Sequence, residues 1–436
     1  MKSYKLKKWI MILPLISAFL WVGCEDLDFP DPNNPTDETA TVQSLVTGAE
    51  AGLRTDIGVY LRDMLVVGRE AYYLEPADPR YTNELMKGPV DAGGFLAMRP
   101  WNANYKVIHN CLNLVASGDA GASGVGKTFH AYALWRILSL TNENGARLNY
   151  DGVISSSVAS KEDVMAEIVS LLDGGNSDLA GAGDAFSFSL SSGFSGFDTP
   201  ASFTKFNRAL KARVSVHQND WASASAALSS SFVDDAGDLS TGVFHVFSSS
   251  ANDQDNQMFE DASNDYIKLM VHPSYATDAD SGDGRFSTNV TVRDTSFPVV
   301  TYDGLTSALA PTVWASSYDP VPMIRNEELI LLRAEVAIGN GDFASAEADM
   351  NIVRSAAGLA GYSGTNASNA IDRVLHEKRY SLFFEGQRLV DMRHYGKTGD
   401  LPLDRTGQVD GDGEAIADDA VVTFPIPETE VEIGRA

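Results

Sequence analysis

Two distant stretches of this chain repeat one pattern, and that pattern restricts the fold more than any other feature. Over residues 327–358, counting Glu327 as the first position, Ala334 and Ala337 fall at the eighth and eleventh places. Gly341 is fifteenth, Phe343 seventeenth, Ala346 twentieth and Met350 twenty-fourth. Residues 205–238 place Ala212, Ser215, Asn219, Trp221, Ala224 and Leu228 at the same steps. Small side chains at those steps let two helices approach closely, and one aromatic fills the gap between them. A helical hairpin of this kind cannot bury its apolar face alone, so it must stack on neighbours.

These are the spacings of the 34-residue tetratricopeptide template. Much of the remaining chain is patterned for helix as well. Residues 42–54 and 59–74 read as a first helix pair, residues 101–115 and 128–143 as a second, and residues 161–173 as an amphipathic helix with an acidic first turn. Residues 174–204 and about 239–320 do not fit helices. The first is rich in Gly, Ser, Phe and Asp. The second mixes polar turns with short β-like runs such as FHVF, STNVTV and FPVVTY. Long irregular insertions that carry aromatics predict ordered binding loops. The expectation is a mainly α protein: a tetratricopeptide-like helical-hairpin scaffold with an irregular, loop-rich lobe containing short β segments, as one domain over residues 40–436.

Residues 377–396 (EKRYSLFFEGQRLVDMRHYG) gather charge around a glycine. The apolar pairs Val374/Leu375, Leu382/Phe383 and Leu389/Val390 recur at a helical period. Glu385, Arg388 and Asp391 follow at three-residue steps, a spacing that pairs charges along one helix. Gly386 stands where a helix former is expected, which predicts a kink or a close backbone approach. Removing one partner of a buried ion pair costs about 3–5 kcal/mol, so these charges are read as a structural network rather than as a catalytic site.

The N-terminus is read as a sorting signal. Residues 2–8 are basic, residues 9–22 are apolar, and Gly23-Cys24 follows. The apolar run is too short for a comfortable membrane span. A cysteine directly after a small residue resembles a bacterial lipobox, with Trp21 at the third place before the cut and Leu20 one earlier. An ordinary secretory signal is the alternative. Acyl chains on Cys24 would anchor the protein, and residues 24–39 read as the acylated cysteine and a polar tether, Pro-rich over 29–39. The net charge is −26, and residues 1–23 carry Lys2, Lys5, Lys7 and Lys8 and no acid, so the remainder carries −30. Phosphate neutralisation supplies most nucleic-acid affinity, so that balance excludes DNA or RNA as a partner. The second cysteine, Cys111, lies in an apolar helical stretch and is read as a small buried hydrophobe.

Several motifs look chemical and fail their context. Residues 121–128 (GASGVGKT) match a phosphate-binding loop, yet no buried strand precedes them; they are read as a loop between helices. No Gly-x-Ser-x-Gly, His-Glu-x-x-His or cysteine cluster is present, and the seven His are dispersed. The loops 278–283 (DADSGD) and 410–414 (DGDGE) have calcium-like composition without the distal Glu of an EF-hand, so solvated turns are the simpler reading. No catalytic residue, metal or cofactor is expected.

The residues that carry a family likeness are Glu377, Arg379, Phe384, Glu385, Gly386, Arg388, Asp391 and Arg393, with Arg325 ahead of the acidic start at Glu327 and the closing run FPIPETE at 424–430. This pattern resembles the SusD/RagB family of surface lipoproteins; Tyr380 departs from it, standing where a charged residue is common. The resemblance implies a tetratricopeptide-like scaffold, a cell outer-membrane location through a lipid anchor, and a lid role over a TonB-dependent, SusC-like transporter. Glycan is the usual cargo and peptide a known alternative. A sugar surface needs flat aromatic faces and oriented polar groups. The candidates are Trp101 with Asn102 and Asn104, read at a loop-to-helix junction, and Trp314 with Tyr318. The competing reading is an envelope scaffold of tetratricopeptide type that binds only protein or peptide.

Overall fold

The computed structural model describes residues 40–150, 157–251, 253–293, 298–405, 408–409, 415–416, 418–419 and 422–432. Cys24, its tether and residues 410–414 lie outside them. The helices are α1 (Val42–Arg54), α2 (Ile57–Val67), α3 (Arg80–Lys87), α4 (Phe95–Ala116), α5 (Ala120–Thr141), α6 (Lys161–Ala180), α7 (Pro200–His217), α8 (Trp221–Ser229), the short α9 (Gly284–Asn289), α10 (Asn326–Gly339), α11 (Phe343–Ala356), α12 (Ala370–Ser381) and α13 (Arg388–His394). The strands are short: β1 (Ala71–Tyr73), β2 (Gly242–His245), β3 (Leu269–Val271), β4 (Val290–Val292), β5 (Val300–Tyr302), β6 (Leu305–Ser307), β7 (Leu309–Pro311) and β8 (Val321–Arg325). The protein is mainly α, as its hydrophobic periodicity requires.

The two repeat windows are real hairpins, α7/α8 and α10/α11, and they turn in the same way. Asn219 (φ 57°) and Gly341 (φ 76°) both adopt the left-handed conformation that ends a helix. The amide of Asp220 reaches back to the Ser215 carbonyl at 2.9 Å, and that of Asp342 to the Ala337 carbonyl at 2.8 Å. Each Asp then caps the next helix, accepting from Ser223 N at 3.0 Å and from Ser345 N at 3.1 Å. The hairpins meet where Gly339 lies under Trp221: a Cβ there would stand 2.3 Å from the indole. The buried pair Arg213–Glu328 joins α7 to α10, with Nε to Oε1 at 2.6 Å.

The sequence 121–128 is not a loop. It is the first part of α5, capped by Asp119, whose carboxylate accepts from Ala122 N at 2.9 Å. The glycines are there for packing. A Cβ on Gly124 would sit 2.6 Å from Leu179, and one on Gly126 would sit 3.0 Å from the Cys111 carbonyl. They let α4 and α6 press against α5, and Lys127 pairs with Asp178 at 2.6 Å. Cys111 is fully buried, and burial pushes its thiol up. The run 59–74 divides into α2 and β1, because Gly68 and Arg69 (φ 55°) end the helix.

Two main cores result. One fills the space among α1 and α4–α8. The other joins α2 and α3 to the irregular lobe, where β1 pairs with β3, β4 with β7, and β5 with β6. β2 pairs antiparallel with β8, so the residues leading into α10 are held by the lobe and the scaffold together. The aromatics of 174–204 do not form a binding loop. Phe188, Phe194 and Phe197 are buried, and Phe194 stacks on Phe203 with centroids 5.8 Å apart. No helix among the described residues is long and apolar enough to cross a membrane.

Candidate functional site

A cavity of about 480 Å³ lies where α9, the strand β8 and the end of α12 converge. Ligand pockets of roughly 300–1,000 Å³ are typical, so its size suits a small oligomer segment. One wall carries Arg285, Thr288 and Asn289 of α9. Another carries Trp314, Pro320 and Pro322. Arg325 and Glu327 stand at the junction of β8 and α10, and Tyr380, Ser381 and Glu385 come from the C-terminal stretch.

The polar side chains of this cavity are fixed before any ligand arrives. Arg325 donates from Nε to Glu385 Oε1 at 2.9 Å, from Nη1 to Glu327 Oε2 at 2.9 Å, and from Nη2 to the Ser381 carbonyl at 2.7 Å and to Glu385. Arg285 donates from Nη2 to Asp283 Oδ2 at 2.7 Å and from Nη1 to Glu377 Oε2 at 2.8 Å and Ser381 Oγ at 2.9 Å. Burial pulls both guanidinium pKa values down, but the paired carboxylates outweigh it and hold them above the ordinary value. Burial pushes the Glu385 carboxyl up to about 7 in spite of Arg325. Trp314 is 6% exposed, and its indole N–H donates to the Pro320 carbonyl at 3.2 Å. Its ring lies beside Phe384, with centroids 6.1 Å apart.

The candidate residues from the sequence fall in different places. Trp314 lines the cavity; Trp101, Asn104 and Tyr318 do not. Trp101 is not at a loop-to-helix junction, because α4 begins at Phe95 and runs through Pro100. Its ring packs on Tyr105 at 4.7 Å inside the helical core. Asn104 is buried and donates to the Pro100 carbonyl at 2.7 Å. Tyr318 is 47% exposed on the loop that follows Trp314.

The C-terminal stretch is not one helix. Phe384 (φ 66°) and Gly386 (φ 74°) break it between Ser381 and Arg388. Glu385, Arg388 and Asp391 therefore do not pair along a single helix face, and each reaches a different element. Glu385 holds Arg325, Arg388 Nε donates to the Gly68 carbonyl at 3.1 Å, and Asp391 pairs with Lys378 at 2.5 Å. A Cβ on Gly386 would stand 3.3 Å from Leu61, so both expectations for this glycine, a bend and a close approach, apply. Arg379 pairs with Asp278 at 2.7 Å.

Arginines also account for the calcium-like loop. Asp278, Asp280 and Asp283 pair with Arg379, Arg354 and Arg285. Asp280, His376 and Glu377 bring ligand-type atoms within 4.8 Å of one another. Arg354 Nη1 lies 2.8 Å from Asp280 and 2.6 Å from Glu377, so a guanidinium already stands where a cation would bind. Sequence reasoning missed Arg285, Glu327 and Tyr380 as cavity residues. The one available signal was Arg325 standing ahead of the glutamates Glu327 and Glu328, with one residue between.

The SusD family's sequence model matches residues 218–431, a span holding both arginines, Trp314 and the broken C-terminal helix. Over that span the chain matches the SusD family, and its fold is SusD-like. A SusD superfamily protein from Bacteroides vulgatus superposes with a TM-score of 0.65 at 14% identity, covering 92% of this chain and 97% of that one. A SusD-like carbohydrate binding protein from the same organism gives 0.67 at 13% identity, over 90% and 96% of the two chains. A laminarin binding SusD-like protein gives 0.58 at 16% identity, over 90% and 97%. No curated protein matches the sequence. The SusD-like fold thus holds at 13–16% identity.

Proposed function

We propose that this SusD-like protein is a non-catalytic, lipid-anchored outer-membrane protein that captures glycan and passes it to a TonB-dependent, SusC-like transporter. The observation that carries the reading is the preformed cavity, with one aromatic wall and two immobilised guanidiniums, on a SusD-like scaffold. Sugar C–H groups pack on an aromatic face while hydroxyls take oriented donors. Two SusD-like proteins of similar fold are described as binding carbohydrate, one of them laminarin. The lipidation site on this reading is Cys24, and residues 24–39 form the tether of the single domain that follows.

The test is affinity electrophoresis through gels containing laminarin, xylan, mannan or starch, with wild type, Trp314→Phe and Trp314→Ala compared. One retarding polysaccharide is expected, with retardation weakened in both variants. Trp314→Ala alone is a poor witness, because removing a buried Trp costs about 3–5 kcal/mol of stability. Retardation by no glycan, with co-purification of envelope proteins other than a transporter, would favour the protein-binding scaffold.

A further inference from the structure

The cavity's charges are committed in a way that bears on which sugars enter it. A guanidinium has five N–H donors, and it recognises a carboxylate or sulfate best through two parallel ones. Arg325 has four of its five engaged: Nε and one Nη2 hydrogen on Glu385, the other Nη2 hydrogen on the Ser381 carbonyl, and one Nη1 hydrogen on Glu327. Arg285 also has four engaged, with Nε on Asp283, both Nη1 hydrogens on Glu377 and Ser381, and one Nη2 hydrogen on Asp283. Each guanidinium thus keeps a single N–H for a ligand and no forked pair.

The surrounding field points the same way. Behind the two arginines stand Asp283, Glu327, Glu377 and Glu385; Arg354 shares Glu377 with Arg285 and also pairs with Asp280. Five carboxylates therefore surround three guanidiniums, on a chain whose net charge is −26. An anionic ligand would enter a negative field and find no fork to compensate its desolvation. A hydroxyl needs only one donor and carries no charge to repel.

We infer that Glu327 and Glu385, by saturating Arg325, make the cavity selective for uncharged sugars and exclude uronate and sulfate esters. This rests on the glycan-capture reading and names the class of glycan. Glu327 and Glu385 are specificity-determining residues, and Arg285 and Arg325 are single-bond donors to hydroxyls.

The test is calorimetric titration of the purified protein with oligosaccharides of matched length. Laminarin-, xylan-, mannan- and starch-derived oligosaccharides form the neutral set; oligogalacturonate, alginate and carrageenan oligosaccharides form the acidic set. At least one neutral oligosaccharide binds, and no acidic one comes within tenfold of its affinity. Glu327→Gln removes one negative charge beside Arg325 while keeping an acceptor for its Nη1, so repulsion of an anionic ligand falls and the acidic-to-neutral affinity ratio rises about tenfold, a difference of about 1.4 kcal/mol. Circular dichroism checks that the variant folds; if it does not, the wild-type panel alone decides. Acidic oligosaccharides binding as tightly as neutral ones would overturn the selectivity and leave capture standing. Binding of neither set would overturn capture and the selectivity with it.

Discussion

Glu70 shows how single residues set the energetics of this protein. It is buried, its Oε2 finds no hydrogen-bond partner among the described residues, and burial raises its pKa to about 8. Arg388, Arg379 and the Phe384 amide pull the other way without winning. The folded state therefore holds a proton that the unfolded chain releases near pH 4.5. This contribution to stability is full below that value and is lost as pH rises through 8. Between pH 5.5 and 8.5 the urea midpoint of the wild type should fall relative to that of Glu70→Gln; a difference between the two that does not change with pH contradicts the assignment. Arg388→Ala removes the donor to the Gly68 carbonyl and should cost about 1–3 kcal/mol, the penalty of an unsatisfied buried acceptor. An unchanged melting temperature would show that Arg388 does not clasp α2.

Elements were legible where spacing carries packing, and illegible where one residue redirects the chain. The repeat hairpins could be read because small residues at fixed steps have one use, close helix approach. Gly339 against Trp221 is that use at a single contact. Gly339→Val should lower the melting temperature by the overpacking cost of about 1–3 kcal/mol, and by less in a Trp221→Ala background. Equal losses in both backgrounds would mean that the hairpins do not meet there. Three readings failed for local reasons. Trp101 reads as the start of a helix, yet α4 begins six residues earlier, at Phe95, and takes Trp101 into the core. The glycines of 121–128 imitated a phosphate loop, but their missing side chains serve helix contact. Phe384 and Gly386 share the left-handed conformation, which a periodicity of apolar pairs does not reveal.

At the scale of the whole molecule, the cavity exists because distant segments converge on it. Arg285 belongs to the irregular lobe, Arg325 to the strand that pairs with β2, and Glu385 to the C-terminal break. Sequence separation hid that convergence: Trp314 was identifiable as an aromatic near a turn, while Arg285 gave no local sign of reaching Glu377. The central claim is that this convergence is the glycan site of a SusD-like capture protein. It is tested most directly by determining the structure of the protein with a neutral oligosaccharide that retards it in affinity gels. The account predicts a sugar ring against Trp314, with hydroxyls in hydrogen-bond range of Arg285 and Arg325. Sugar bound at another surface, with the Trp314 cavity empty, would contradict it.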